Sequence, residues 1–297
     1  MPGAALLSTS VVGQPGAAGL ARERVLRFGV VADPQYAPVA PAINRYYANS
    51  LWKLSEAVEV FNAEPDLDFV VTLGDIIDRH WESYGHILPI YDKLRHRNRF
   101  VLGNHDFEVA PDYLSSVPRV LGLERRYYDF LAGGIRFIVI DGNDVSLFGN
   151  PKGSPGYRLA VETLQAMKDR GEPNAQDWNG GMGEAQYAWL EQTMDRAESA
   201  GEKIIVMGHY PVYPKTKLSM WGAERFVKLV SARPAVLAYL NGHDHAGNYG
   251  ALAGKHFVNF KGMVETATDT AFAIVTVQPD RVEIQGFGTE PSRSLAV

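Results

Sequence analysis

The sequence predicts an α/β fold in one large domain, and three observations carry that expectation. Short apolar runs recur along the 297 residues, helical periodicity fills gaps between several of them, and most runs end at Gly, Asp or Asn. Strands that alternate with helices and feed polar loops at one rim indicate an α/β arrangement. In open α/β sheets, sites gather at the carboxyl ends of the strands, where these polar residues fall.

The first run, Leu26 to Ala32, reads as a buried strand that stops at Asp33-Pro34. Ser50 to Asn62 then sets Leu51, Leu54, Val58 and Phe61 at helical spacing. Strands follow at Asp68 to Leu73 before Gly74-Asp75, at Arg99 to Leu102 before Gly103-Asn104, and at Ile135 to Ile140 before Asp141. From Phe148 to Gly183 the chain is rich in Gly, Pro, Asn and Lys, with a helical piece around Leu159 to Lys168. So long a connection is expected to be a lid-like or specificity insertion. Its end, Trp178 to Gly183, reads as a turn before a helix at Glu184 with Trp178 packed as an anchor; the competing reading closes these glycines over a substrate. A helix over Tyr187 to Ala197 leads to strands at Lys203 to Met207 and Val236 to Leu240, which end at Gly208-His209 and Asn241-Gly242. Lys255 to Phe260, Thr270 to Val277 and Arg281 to Phe287 alternate like antiparallel strands and are expected to complete a second sheet.

Composition narrows the function. Hydrophobic residues make up 46% of the chain and charged residues 21%, a globular balance able to bury a sizeable core. A net charge of −5 gives no electrostatic reason to expect a nucleic-acid partner, although metals could attract a small anion locally. With no cysteine, any metal site must use nitrogen and oxygen. No stretch reaches the roughly twenty apolar residues a membrane-spanning helix needs. One domain is expected over residues 26–290, preceded by a tail at 1–25 that is flexible or the remnant of an export signal. Leu6, Leu7, Val11 and Val12 suit such a signal, yet no Lys or Arg precedes them, so export to the periplasm is favoured only slightly over a cytoplasmic location.

Five strand-end clusters hold the chemistry: Asp33-Pro34-Gln35, Gly74-Asp75-Ile76-Ile77-Asp78, Gly103-Asn104-His105-Asp106, Gly208-His209-Tyr210-Pro211 and Gly242-His243-Asp244-His245. Singly, Asp33 could be a turn residue, and Asp75 or Asn104 a helix cap. Two imidazoles two residues apart, at His243 and His245, are harder to explain as structure. A carboxylate such as Asp75 can bridge two cations about 3.5–4 Å apart, and neutral imidazoles and amide oxygens keep the total charge tolerable.

Together the clusters resemble the calcineurin-like metallophosphoesterases, over about Phe28 to Phe287. The resemblance implies a four-layer α/β/β/α sandwich with two central mixed sheets flanked by helices. It implies that Asp33, Gln35, Asp75 and His245 hold one divalent metal and that Asp75, Asn104, His209 and His243 hold a second. It leaves His105 as general acid, with Asp106 placed to orient it, and a metal-bridging hydroxide as the in-line nucleophile. Asp78 and Asp244 are expected to orient neighbours. One departure stands out: Gln35 occupies the position where the commonest family pattern has His. An oxygen ligand shifts preference toward harder cations, so the change favours manganese over zinc or iron at that site, with magnesium possible, or else makes the first site a weaker one.

Gln35, the stretches Asp33-Pro34-Gln35-Tyr36, Arg45-Tyr46-Tyr47 and Asp141 to Ser146, and Gly262 to Thr266 are similar to the manganese-dependent ADP-ribose/CDP-alcohol diphosphatase subgroup. That similarity implies cleavage of the pyrophosphate bond of nucleoside diphosphate compounds to give a nucleoside monophosphate. Arg45, Tyr36 and Tyr249 are expected to contact phosphate or stack on a base. The alternatives are a broader phosphodiesterase or phosphomonoesterase acting on a non-nucleotide substrate, and a catalytically inactive interaction module. A small phosphoanhydride or phosphodiester is the expected partner, and the chain is taken to be a monomer.

Overall fold

The computed structural model describes residues 25–297, so the expected N-terminal tail lies outside the described residues apart from its last position. The elements run β1 (Leu26–Val31), α1 (Ser50–Ala63), β2 (Phe69–Thr72), α2 (Glu82–Tyr91), β3 (Arg97–Phe100), α3 (Val117–Val120), β4 (Tyr128–Ala132), β5 (Ile135–Val139) and α4 (Pro155–Asp169). They continue with α5 (Glu184–Ser199), β6 (Lys203–Met207), α6 (Ala223–Ser231), β7 (Val236–Asn241), β8 (Asn248–Leu252), β9 (Lys255–Asn259), β10 (Ala271–Val277), β11 (Arg281–Gly288) and β12 (Arg293–Ala296).

Two six-stranded mixed sheets form, in the orders β12-β11-β10-β1-β2-β3 and β4-β5-β6-β7-β9-β8. Between them lies one core, in which Phe28, Val30, Val71 and Val275 of the first sheet meet Phe137, Val139, Ile205 and Leu240 of the second. The outer face of the first sheet is covered by α1 and α2 through Leu54, Val58, Phe61, Tyr84 and Ile87. That of the second is covered by α5 and α6 through Leu190, Met194, Phe226 and Val230. This is the four-layer α/β/β/α sandwich. At Gly29 in β1 an added Cβ would stand 2.7 Å from the Phe61 ring, so glycine lets α1 settle onto the sheet.

The C-terminal strands correct one expectation. Only β9 joins the second sheet, parallel to β7 and antiparallel to β8. β10 and β11 instead complete the first sheet, with β10 antiparallel to β1. The reason is visible in β10, Ala-Phe-Ala-Ile-Val-Thr-Val, which is buried on both faces and therefore suits an interior strand. α4 begins four residues before the expected helical piece, because Ser154 caps it by accepting from the Tyr157 N–H at 3.2 Å and Pro155 opens its first turn. β4, β8, β12, α2, α3 and α6 were not foreseen. Among the described residues no helix is long and apolar enough to cross a membrane.

Fully buried Leu, Val or Phe side chains contribute about 1.5–3 kcal/mol each. Four non-glycine residues at the rim, Asp33, Gln35, Asp75 and His243, have φ between 47° and 71°, in the left-handed region. Strain of that kind costs about 1–3 kcal/mol per residue. The packed layers outweigh it and hold the strained loops in place.

Candidate metal centre

The strained residues converge at the carboxyl ends of β1, β2 and β7, beside the end of β6 that carries His209. Two groups of side chains bring their ligand atoms within 4.8 Å of one another: Asp75, His209 and His243, and Asp33, Asp75 and His245. Asp75 stands in both. Its Oδ1 accepts from the His105 N–H at 2.8 Å, and its buried Oδ2 has no hydrogen-bond donor but lies 3.3 Å from His209 Nε2. Glycines permit the approach: a Cβ on Gly103 would lie 2.1 Å from Asp75 Oδ1, and one on Gly242 would lie 2.4 Å from Asp33 Oδ2.

Hydrogen bonding fixes which imidazole nitrogens are free. His209 Nδ1 pairs with the Leu73 carbonyl at 2.8 Å and must donate, which leaves Nε2 with a bare lone pair when the ring is neutral. His245 Nδ1 donates to Glu265 Oε1 at 2.8 Å, leaving its Nε2 3.5 Å from Asp33 Oδ1. His243 Nε2 faces Asn179 Oδ1 at 3.2 Å, which turns its Nδ1 onto His209 Nε2, also at 3.2 Å. Asn104 Oδ1 lies 3.2 Å from the same His209 nitrogen. Lone pairs this close repel unless a cation, or a proton, sits among them.

The titration behaviour points the same way. Burial disfavours a proton on His209, but Asp75 and Asp33 outweigh it and raise its pKa to about 9. Burial also opposes a proton on His245, where Asp33 and Glu265 prevail and raise the value to about 9. Burial and the neighbouring His209 hold His243 well below the ordinary histidine range. Asp75 is buried, yet the surrounding histidines hold its carboxyl below the usual carboxylate range.

Gln35 adds an independent sign. It is fully buried, and neither its amide oxygen nor its amide nitrogen has a hydrogen-bond partner. A buried amide left unpaired costs about 1–3 kcal/mol. It lines the same cleft as Asp75, Asn104, His105, His243 and His245, where an ion would satisfy its oxygen. The donor set of oxygen and imidazole nitrogen fits divalent cations of intermediate hardness.

The cleft has a volume of about 530 Å³ and is also lined by Ile43, Arg45, Tyr47, Trp178, Lys217, Leu218 and Glu265. That is within the range of small-molecule sites. Arg45 is a lining residue of the cleft. Tyr36 and Tyr249 are not: Tyr36 is buried with its hydroxyl on His86 Nδ1 at 3.0 Å, and Tyr249 lies on edge strand β8 with its hydroxyl on His256. Their aromatic rings are committed elsewhere, so neither forms a wall of the cleft. The aromatic residues that do line it are Tyr47 and Trp178, the latter 42% exposed rather than packed as an anchor.

Asp106 needs a second correction. Its oxygens accept from the backbone N–H groups of Gly103 at 2.8 Å, Ile76 at 2.9 Å and Asp75 at 3.1 Å, so it ties two strand-end loops together instead of orienting His105. Burial and the Asp75 charge raise its pKa to about 7. The contact to His105 Nδ1 comes from the Asp78 carbonyl at 3.0 Å, with Asp78 Oδ1 at 3.4 Å. Two further residues went unforeseen as positioning groups. Glu265 had been quoted only within a motif, and Asn179 anchors the end of the 148–183 connection by donating to the carbonyls of Asn174 and Lys217.

Comparison with known proteins agrees with this geometry. The family model described as calcineurin-like phosphoesterase matches residues 26–247, and the chain belongs to that family. This places it among the metal-dependent phosphohydrolases. A manganese-dependent ADP-ribose/CDP-alcohol diphosphatase of Mus musculus is 30% identical over 95% of this chain and 96% of its own length. A protein of the same description from Arabidopsis thaliana is 28% identical over 90% of this chain and 95% of its own. Among solved structures, a dimetal phosphatase from Danio rerio superposes with a TM-score of 0.82 at 25% identity, covering 92% of this chain and 99% of that one.

Proposed function

We propose that this chain holds two divalent cations, manganese first among them, and hydrolyses the pyrophosphate bond of nucleoside diphosphate compounds such as ADP-ribose and CDP-alcohols, releasing a nucleoside monophosphate. The observation that carries the reading is Asp75, shared by two ligand groups whose histidines turn bare nitrogens toward it. Asp33, Gln35, Asp75 and His245 would hold one cation, and Asp75, Asn104, His209 and His243 the other. Bound there, the cations supply Lewis acidity and an activated water for in-line attack on phosphorus.

The chain's own residues do the rest. Only two of the seven proposed ligands are carboxylates, so the loaded site keeps a positive surplus for a diphosphate. Arg45 has no hydrogen bond or ion pair from its side chain to the described residues, which leaves its guanidinium for a phosphate oxygen. His105 borders the cleft with Nδ1 donating to the Asp78 carbonyl, so in the imidazolium form its other nitrogen carries the proton that would pass to the departing phosphate oxygen. Trp178 offers a nucleobase a π-face, and Asn179 beside it is tied through His243 to the centre, so base and phosphorus are held in one frame. The names of the curated relatives support the substrate class.

The test is metal-stripped protein restored with manganese, magnesium or zinc and assayed on ADP-ribose, CDP-choline and a chromogenic phosphodiester, with products identified. Manganese-dependent release of AMP or CMP is expected. Activity on the chromogenic diester alone would overturn the substrate class.

A further inference from the structure

We infer that Lys53, a residue of α1 outside every ligand cluster, is a positioning residue for the first cation: its ammonium group holds the loop that sets Glu265 against His245. The inference rests on the two-cation reading above.

Lys53 is fully buried. Its Nζ donates to the carbonyls of Met263 at 2.9 Å, Glu265 at 2.5 Å and Thr266 at 2.8 Å. Three donors meet three acceptors, which is the full capacity of an ammonium group. Burying such a charge is costly, and an apolar residue on this face of α1 would avoid that cost. The expense is explained by what the carbonyls belong to. They lie in the connection between β9 and β10, where Thr266 takes a positive φ of 64° and the carbonyls turn onto one point. Without a cation there, their dipoles would repel.

That same connection is laid against the strand end carrying Asp33. Met263 N–H donates to the Ala32 carbonyl at 2.9 Å and Val264 N–H to that of Asp33 at 3.0 Å. From the segment so fixed, Glu265 reaches His245 Nδ1 at 2.8 Å and decides that Nε2 is the nitrogen left bare. The order of action is therefore Lys53, the loop carbonyls, Glu265, His245. Burial lowers the Lys53 pKa to about 8, with Glu265 and Asp269 opposing, so the charged form predominates at neutral pH.

The experiment titrates Mn2+ into the metal-stripped full-length chain, following bound and free ion by electron paramagnetic resonance, for wild type, Lys53→Met, Glu265→Gln and the double variant. Losing a group that orients a ligand weakens metal binding about 10–100-fold. One of the two Mn2+ affinities should fall by that factor in either single variant while the other stays unchanged, and the double variant should be no worse than Glu265→Gln alone. Should Lys53→Met not fold, Lys53→Gln, which keeps two donors, is measured in its place with the same expectation at reduced size. Lower thermal stability with both affinities intact would reduce Lys53 to a structural residue and overturn the inference. A wild-type chain that takes up fewer than two Mn2+ would overturn the two-cation reading itself.

Discussion

His105 presents the cleft with one free ring nitrogen because the other is held by the Asp78 carbonyl at 3.0 Å, and its backbone N–H is spent on Asp75. Its side chain is not among the proposed ligands, so His105→Ala should leave two cations bound while turnover falls about 10²–10⁴-fold, the usual loss for a general acid. Metal analysis beside kcat on ADP-ribose checks this; full activity on an unactivated substrate would remove His105 from the reaction. At this scale the proposed ligands stood out as candidates because each is a polar side chain just after an apolar strand. Glu265, Asn179 and Lys53 were not, since they act across 20, 64 and 210 residues of chain on an imidazole or on carbonyls. Asp78 and Asp106 show a finer limit. Both flank the ligands in sequence, and only the fold decides that one reaches His105 while the other is consumed by backbone N–H groups.

The strand-end loops are elements whose form depends on the glycine before the ligand. Gly103 sits so close to Asp75 that a methyl group would overlap the Oδ1 and approach the Asp75 backbone nitrogen at 2.3 Å. Backbone on one side and a shared ligand on the other cannot both give way. Gly103→Ala should therefore destabilise the chain by about 2–4 kcal/mol and displace the carboxylate common to both cations. The expected signature is a lower midpoint in urea together with loss of both bound Mn2+; a variant with normal metal content would show that the loop has slack the packing does not reveal. Strands ending at such loops were readable from their apolar runs. β10 was assigned to the wrong sheet because an apolar run records burial and says nothing about which neighbour supplies the edge, and α6 was missed between two strands whose own signal was stronger.

Across the whole molecule, the proposed ligands come from both sheets: Asp33, Gln35 and Asp75 follow β1 and β2, while His209, His243 and His245 follow β6 and β7. The layered architecture was legible as alternating strands and helices, but the junction of the two sheets at one rim was visible only through the ligands they share. Cations bound there would join the sheets at the rim, opposing separation of layers that are otherwise held by the core between them. Because the unfolded chain lacks this arrangement, each cation should stabilise the native state by RT ln(1 + [L]/Kd), about 2.7 kcal/mol at a hundredfold excess over Kd. Chelation should accordingly lower Tm, and Mn2+ should restore it in two steps as the tighter and the weaker site fill. Asp75→Asn, which weakens the group shared by both sites, should flatten the dependence of Tm on Mn2+ concentration. Calorimetry across a manganese series reads all three. An unchanged Tm on stripping and reloading, with the ions shown to bind, would mean that the packed layers alone fix the rim and that the cations serve chemistry without holding the sheets.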